Sequence, residues 1–212
     1  MKLFGYFRSS AAYRVRIALN LKGIEAEHAF VHLRKGEQAA PDYDALNPQH
    51  LVPTLVDGGT VLTQSMAIIE YLDETRPEPP LLPSDPAGRA RVRSVAQAIA
   101  CDLHPLDNLR VLKYLTGPMG VTEEKRDEWY RHWIAVGLGA VERMLTPAAG
   151  TGRFCHGDAP GLADVCLVPQ VFNAERFGCD LSAYPTVMRI AATCRELPAF
   201  AAAAPERQPD AE

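Results

Sequence analysis

The chain has 212 residues, of which 47% are hydrophobic and 23% charged, and its net charge is -4. That length suits one large domain or two modest ones, each with its own core. The slightly acidic balance offers no basic surplus for nucleic acid.

The predicted elements run as follows. Residues 2–7 (KLFGYF) read as a strand, and Ser9 and Ser10 stand where they can cap the helix that follows. Val15, Ile17, Ala18, Leu19 and Leu21 fit helical spacing up to Gly23. Residues 26–33 read as a second strand, and the polar stretch from Arg34 to Leu46 as a region with one short helix. Val52 to Val56 and Thr60 to Leu62 form a strand pair around the tight turn Asp57-Gly58-Gly59. Gln64-Ser65 opens another helix, with Met66, Ile69 and Leu72 on one face. A proline opening a strand forfeits a ladder donor, so Pro53 suggests a cis peptide that shapes an approach to a ligand.

The proline-dense run from Thr75 to Pro86 reads as a linker. Beyond it the apolar period is helical throughout, over about 88–116, 123–146, 162–177 and 185–196. The expected domains are 1–82, an α/β unit of order βαβαββα, and 87–212, an all-helical unit. The tail from Ala201 to Glu212, rich in alanine, proline and acids, is expected to fray.

Cys101, Cys155, Cys166, Cys179 and Cys194 are odd in number and form no CxxC, so neither a disulfide framework nor a zinc site is expected. Cys166 and Cys194 lie among apolar residues and read as core. A reducing, cytoplasmic setting fits. Lys2 is followed by only a short apolar run, so no secretory signal is expected, and no stretch nears the roughly 20 apolar residues that span a bilayer.

Three groups of residues could carry chemistry. Ser9-Ser10 sits where a helix start gathers unpaired amides and positive potential, which suits a thiolate; capping is the commoner role, and spacing alone favours it. Val52-Pro53 with Gln64-Ser65 offers backbone for an extended peptide and a helix start for a carboxylate; the alternative is a hairpin followed by a capped helix. Arg8, Arg110 and Arg176 are candidate carboxylate partners, though most arginines are simply solvated.

The segments FRSSAAYRVRIALNLKGI, ALNPQHLVPTL, LTQSMAIIEYLDETRP, NLRVLK and ADVCLVPQVFNAERF together resemble the zeta class of glutathione transferases, the maleylacetoacetate and maleylpyruvate isomerases. The likeness covers nearly the whole chain, and within the class it leans to the bacterial maleylpyruvate isomerases of gentisate-type aromatic breakdown. It implies a thioredoxin-like α/β domain, then an all-α domain, in a homodimer that uses glutathione as cofactor. Carried over by position, Ser9, Ser10 and Ala11 would face the glutathione sulfur. Gln38, Val52, Pro53, Gln64 and Ser65 would hold the tripeptide. His104, Asn108, Leu109 and Arg110 would touch it from the helical part, from the same subunit or across the dimer. Arg8, Arg176 and Arg110 would face a diacid substrate, with Ser9, Ser10, Arg8 and Arg176 as the catalytic set.

Four departures from the family pattern bear on this. Ala11 stands where a cysteine is usual, which leaves glutathione's sulfur as the reactive group. Tyr13 replaces a tryptophan, a packing change. Arg110 stands where animal relatives carry a small polar residue, and an added cation suits a compact dicarboxylate such as maleylpyruvate. Gly161 replaces a Ser or Thr cap, with Asp164 kept three residues on, so half of a capping box is missing. The implied activity is glutathione-dependent cis-to-trans isomerisation of a maleyl keto diacid to its fumaryl isomer. Attack on α-halo acids and a binding protein without turnover are the competing readings; the intact set of Ser9, Ser10, Pro53, Gln64 and Ser65 argues against the latter. The resemblance leaves open which of the two serines meets the sulfur.

Overall fold

The structure, a computed structural model, describes residues 1–146 and 150–212. By packing, these form two compact units, Met1–Leu81 with Arg195–Glu212, and Leu82–Cys194.

The first unit is built on four short strands: β1 (Lys2–Gly5), β2 (Glu27–Phe30), β3 (Thr54–Asp57) and β4 (Thr60–Thr63). Their spatial order is β2-β1-β3-β4; β1 runs parallel to β2, and the pairs β1–β3 and β3–β4 are antiparallel. Gly58, at φ +59, supplies the left-handed turn that closes β3 on β4. Helix α1 (Ser10–Leu21) links the two parallel strands. The polar stretch folds as a 3-10 turn, Glu37–Ala39, and the short helix α2 (Pro41–Asp44). Helix α3 (Ser65–Thr75) closes the βαβαββα order and packs on α1, with Ile68, Ile69 and Leu72 fully buried. Near the C-terminal end of β1, Tyr6, Phe7, Val31, Tyr43 and Val52 form a buried cluster.

The C-terminal segment does not fray. It forms helix α9 (Pro198–Ala203) and a 3-10 turn (Pro205–Arg207), and α9 packs along α1. Arg16 Nε donates to the Ala203 carbonyl at 3.0 Å, Asn20 Nδ2 to the Ala199 carbonyl at 2.9 Å, and the Phe7 amide to Asp210 Oδ2 at 2.9 Å. These bonds offset the polar composition of the tail. They also explain why α1 buries Arg16 as well as its apolar face, and burial lowers that guanidinium to about 10.

The second unit is helical: α4 (Pro86–Gln97), α5 (Leu109–Thr116), α6 (Glu123–Leu145), α7 (Leu162–Arg176) and α8 (Pro185–Arg195). The single helix expected over 88–116 is broken. After α4 the chain makes a π-type stretch over Ala98–Leu103 and a 3-10 turn over His104–Asp107, then restarts at Asn108. Pro105 has no amide to continue the i to i−4 ladder, and the Asn108 side chain caps the new start by accepting the Arg110 amide at 3.0 Å. Gly137 lets α6 approach the π stretch: a Cβ there would sit 2.6 Å from Leu103 Cδ2. Cys155, Cys166 and Cys194 are fully buried, and all five cysteines are free thiols.

At the start of α7, Asp164 accepts the Gly161 amide at 2.9 Å and the Cys155 amide at 2.8 Å. The glycine itself gives no side-chain cap, so the box keeps only its acidic half. Among the described residues, no helix is long and apolar enough to cross a membrane.

Candidate active site

The chain leaves β1 through Tyr6–Arg8 and turns into α1 where the Ser9 amide meets the Tyr6 carbonyl at 3.0 Å. Ser9 is the cap: its backbone is extended, and its Oγ accepts the Ala12 amide at 3.2 Å. The capping role read from spacing is therefore real. It does not exclude the other, because a hydroxyl that accepts through a lone pair keeps its proton to donate. Ser9 is half-buried, whereas Ser10 is 5% exposed and Ala11 half-buried. Tyr13 is buried in the core, as a packing replacement requires. Arg8 lies 4.8 Å over the Phe7 ring and donates to the Tyr6 hydroxyl at 3.4 Å.

A second polar cluster lies just before β3 and α3. The Val52–Pro53 bond is cis. Around it the backbone is tied down: the Leu51 carbonyl accepts from Tyr43 Oη at 2.6 Å and from Asn47 Nδ2 at 2.7 Å. The Val52 amide and carbonyl have no hydrogen-bond partner among the described residues. A short main-chain edge with one unused donor and one unused acceptor is what an extended peptide pairs with. Gln64 precedes α3 in a left-handed conformation, φ 69, and does not cap it; its Nε2 donates instead to Gln49 Oε1 at 2.7 Å. Ser65 is buried and accepts from Arg14 Nη1 at 3.3 Å, so a fully buried guanidinium sits behind the helix start. Gln38 Oε1 is buried without a partner among the described residues. These groups fit a tripeptide with its own amides, carbonyls and carboxylates.

The helical unit carries the remaining candidates. His104 opens the 3-10 turn, Asn108 caps α5, Leu109 is its first residue, and Arg110 is exposed. Arg176 ends α7, where it is exposed and lies 4.7 Å over the Phe177 ring. Phe177 stacks on Tyr130 at 3.6 Å and 10°. Burial raises the Tyr130 phenol, with Asp107 adding to the shift.

Three features went unread in the sequence. Asp107 is 5% exposed, its carboxyl oxygens have no hydrogen-bond partner among the described residues, and burial pushes it up to about 8. Arg14 braces Ser65 from α1. His32 and Arg34 share a carboxylate with Arg8. The sequence signal available was thin: Asp107 lies between His104 and Asn108, and His32 ends a strand-like run, but neither position reports burial or partners.

Residues 1–74 match the family described as glutathione S-transferase, N-terminal domain. A probable maleylacetoacetate isomerase of Vibrio cholerae is 55% identical over 211 residues, covering 99% of this chain and 97% of that protein. The structure of a bacterial zeta-class maleylpyruvate isomerase in its holo form superposes with a TM-score of 0.98 at 48% identity, covering both chains completely. A maleylacetoacetate isomerase of Methylobacterium extorquens, solved with malonate and glutathione bound, superposes with a TM-score of 0.97 at 50% identity over both full chains. The fold is thus that of a glutathione transferase. The chain belongs to the zeta class of that family, the maleylacetoacetate and maleylpyruvate isomerases.

Proposed function

We propose that this chain is a glutathione-dependent cis–trans isomerase that converts maleylpyruvate to fumarylpyruvate. Full-length similarity to isomerases of maleyl keto diacids supports the reaction class. The observation that carries the chemistry is the Ser9-capped start of α1, in the same unit as the unpaired amide and carbonyl of Val52.

Bound glutathione supplies a nucleophilic sulfur whose reversible addition to the double bond lets that bond turn, so the cofactor is regenerated. The chain's own residues have three tasks. Ser9, or Ser10 behind it, donates a hydrogen bond to the sulfur, and the start of α1 favours its anionic form. Val52 pairs with the tripeptide backbone, Gln38, Gln64 and Ser65 hold its polar ends, and His104 and Asn108 to Arg110 add contacts from the helical unit. Arg8, Arg176 and Arg110 take the substrate's carboxylates and offset the negative charge that grows on its keto oxygen. The protein acts as a homodimer in the cytoplasm, a compartment that suits five free thiols.

The test follows the loss of the cis keto diacid's absorbance with and without glutathione. Turnover should require glutathione without consuming it. Absence of acceleration on any maleyl keto diacid would sink the reading. Maleylacetoacetate is the second candidate substrate, favoured by the name of the Vibrio relative. The ratio of kcat/KM for the two acids decides between them, and Arg110 predicts that the shorter acid wins.

A further inference from the structure

Arg8 does not stand alone. The Glu212 carboxylate lies among three donors of the first unit: His32 Nε2 hydrogen-bonds its Oε1, while Arg8 Nη2 and Arg34 Nη1 stand 3.8 and 3.9 Å from its Oε2. The group is held in place from behind. The His32 ring lies against that of buried Tyr6, at 5.3 Å between centroids, and Arg8 donates to the hydroxyl of the same tyrosine. The His32 amide donates to Glu37 Oε2 at 2.7 Å. The Lys35 amide donates to His32 Nδ1 at 3.3 Å, which leaves Nε2 as the nitrogen that carries the proton and points it at the carboxylate.

We propose that Arg8, His32 and Arg34 form a carboxylate receptor for the dicarboxylate substrate, and that Glu212 on the C-terminal segment occupies it as a built-in competitor. Glu212 fills the receptor poorly. Both guanidiniums stand beyond hydrogen-bond distance, so their forks are not used. Its side chain is 45% exposed, and ion pairs so exposed are weak and readily displaced. A free carboxylate can approach Arg8 and Arg34 closely, with His32 as a third donor. The tail otherwise stays in place, because Asp210 on the Phe7 amide and Arg16 on the Ala203 carbonyl hold it independently of Glu212.

The inference deepens the isomerase reading and rests on it for the identity of the substrate. The experiment measures malonate binding by calorimetry and KM for maleylpyruvate in the wild-type chain, Glu212→Gln and His32→Gln. Glu212→Gln should tighten malonate and lower KM for the diacid by about two- to fivefold, the range for loss of an exposed ion pair. His32→Gln should weaken both, with KM for glutathione held. Unchanged malonate affinity in Glu212→Gln overturns the receptor. So does a gain that falls on glutathione instead, since the receptor would then serve a cofactor carboxylate. A malonate shift in a chain that turns over no maleyl acid would sink the isomerase reading and leave the receptor standing. Normal turnover with no malonate shift would do the reverse.

Discussion

In the first unit the candidate site groups include main-chain atoms and hydroxyls at helix starts, while in the helical unit they include an exposed cation lying over an aromatic ring. Ser9 spends one lone pair on capping α1 and keeps its proton, and Val52 keeps an amide and a carbonyl unused. Arg176, by contrast, lies over Phe177, whose ring stacks on that of buried Tyr130. The difference separates two kinds of work. Helix starts and free backbone recognise a fixed ligand such as a tripeptide, and they tolerate little change in chain direction. A guanidinium backed by aromatic rings can serve different diacids, because its fork carries the specificity and the rings only hold it.

The largest expected effect lies at Ser9. Loss of a hydrogen bond to a developing or bound anion lowers turnover by about a hundredfold or more. Ser9→Ala also removes a cap, worth about 1 kcal/mol, whereas Ser9→Gly gives up only a few tenths. Ser9→Gly should therefore recover most of the thermal stability and none of the activity. If stability and turnover return together, Ser9 is a cap and the sulfur belongs to Ser10. Ser10 is more deeply buried, so Ser10→Ala should have the smaller effect on kcat/KM.

Next in size is Arg176→Met. A charge-assisted bond to a carboxylate is worth about 1.5–3 kcal/mol, so kcat/KM for the diacid should fall roughly ten- to a hundredfold. Glutathione KM should stay put. Arg176→Lys should not restore the loss, because an ammonium lacks the fork. A full rescue by lysine would mean that charge alone matters here, and the contrast between the two units would weaken.

Asp107 tests the buried side of the comparison. Its carboxyl is raised in the folded chain, from 3.8 to about 8, by desolvation. The folded form then holds a proton that the unfolded form gives up above its ordinary value. Stability should be highest below about 4 as far as this group is concerned, and should fall as pH rises from there through about 8. Asp107→Asn removes the titration, so its Tm should change less over that window than the wild-type Tm. Equal slopes for the two proteins would show that Asp107 ionises normally and has found a partner.

The residues differ in how openly they announced themselves. The strands, α1, α3 and the Gly58 turn follow from period and turn chemistry, and Ser9 and Val52-Pro53 lie at the junctions those elements create. Nothing local predicts that the tail would dock. Arg16 meets Ala203 across 187 residues, and a bond of that span leaves no trace in a composition window. The break over Ala98–Asp107 was hidden for a different reason. Apolar spacing reports which face is buried, and it stays much the same when the ladder shifts from i−4 to i−5. Asp107 reads as an ordinary solvated acid because its burial depends on α6 packing against the 3-10 turn that carries it, and the glutathione roles of Gln38 and His104 rest on likeness to a family alone.

The smallest expected effect returns to a helix start, this time one without a ligand. Gly161 precedes α7 with φ -139, extended backbone that serine adopts without strain. Asp164 already accepts the Gly161 amide at 2.9 Å, so only the reciprocal hydroxyl is missing. Gly161→Ser should supply it and raise stability by a few tenths of a kcal/mol, with kcat unchanged. Ser9→Gly makes the opposite exchange at α1, with a similarly small stability change but a collapse in activity. If the two helix starts respond alike in both stability and turnover, position at a helix start is all that Ser9 contributes. If only α1 couples its cap to catalysis, the hydroxyl proton that Ser9 keeps is what sets the two starts apart.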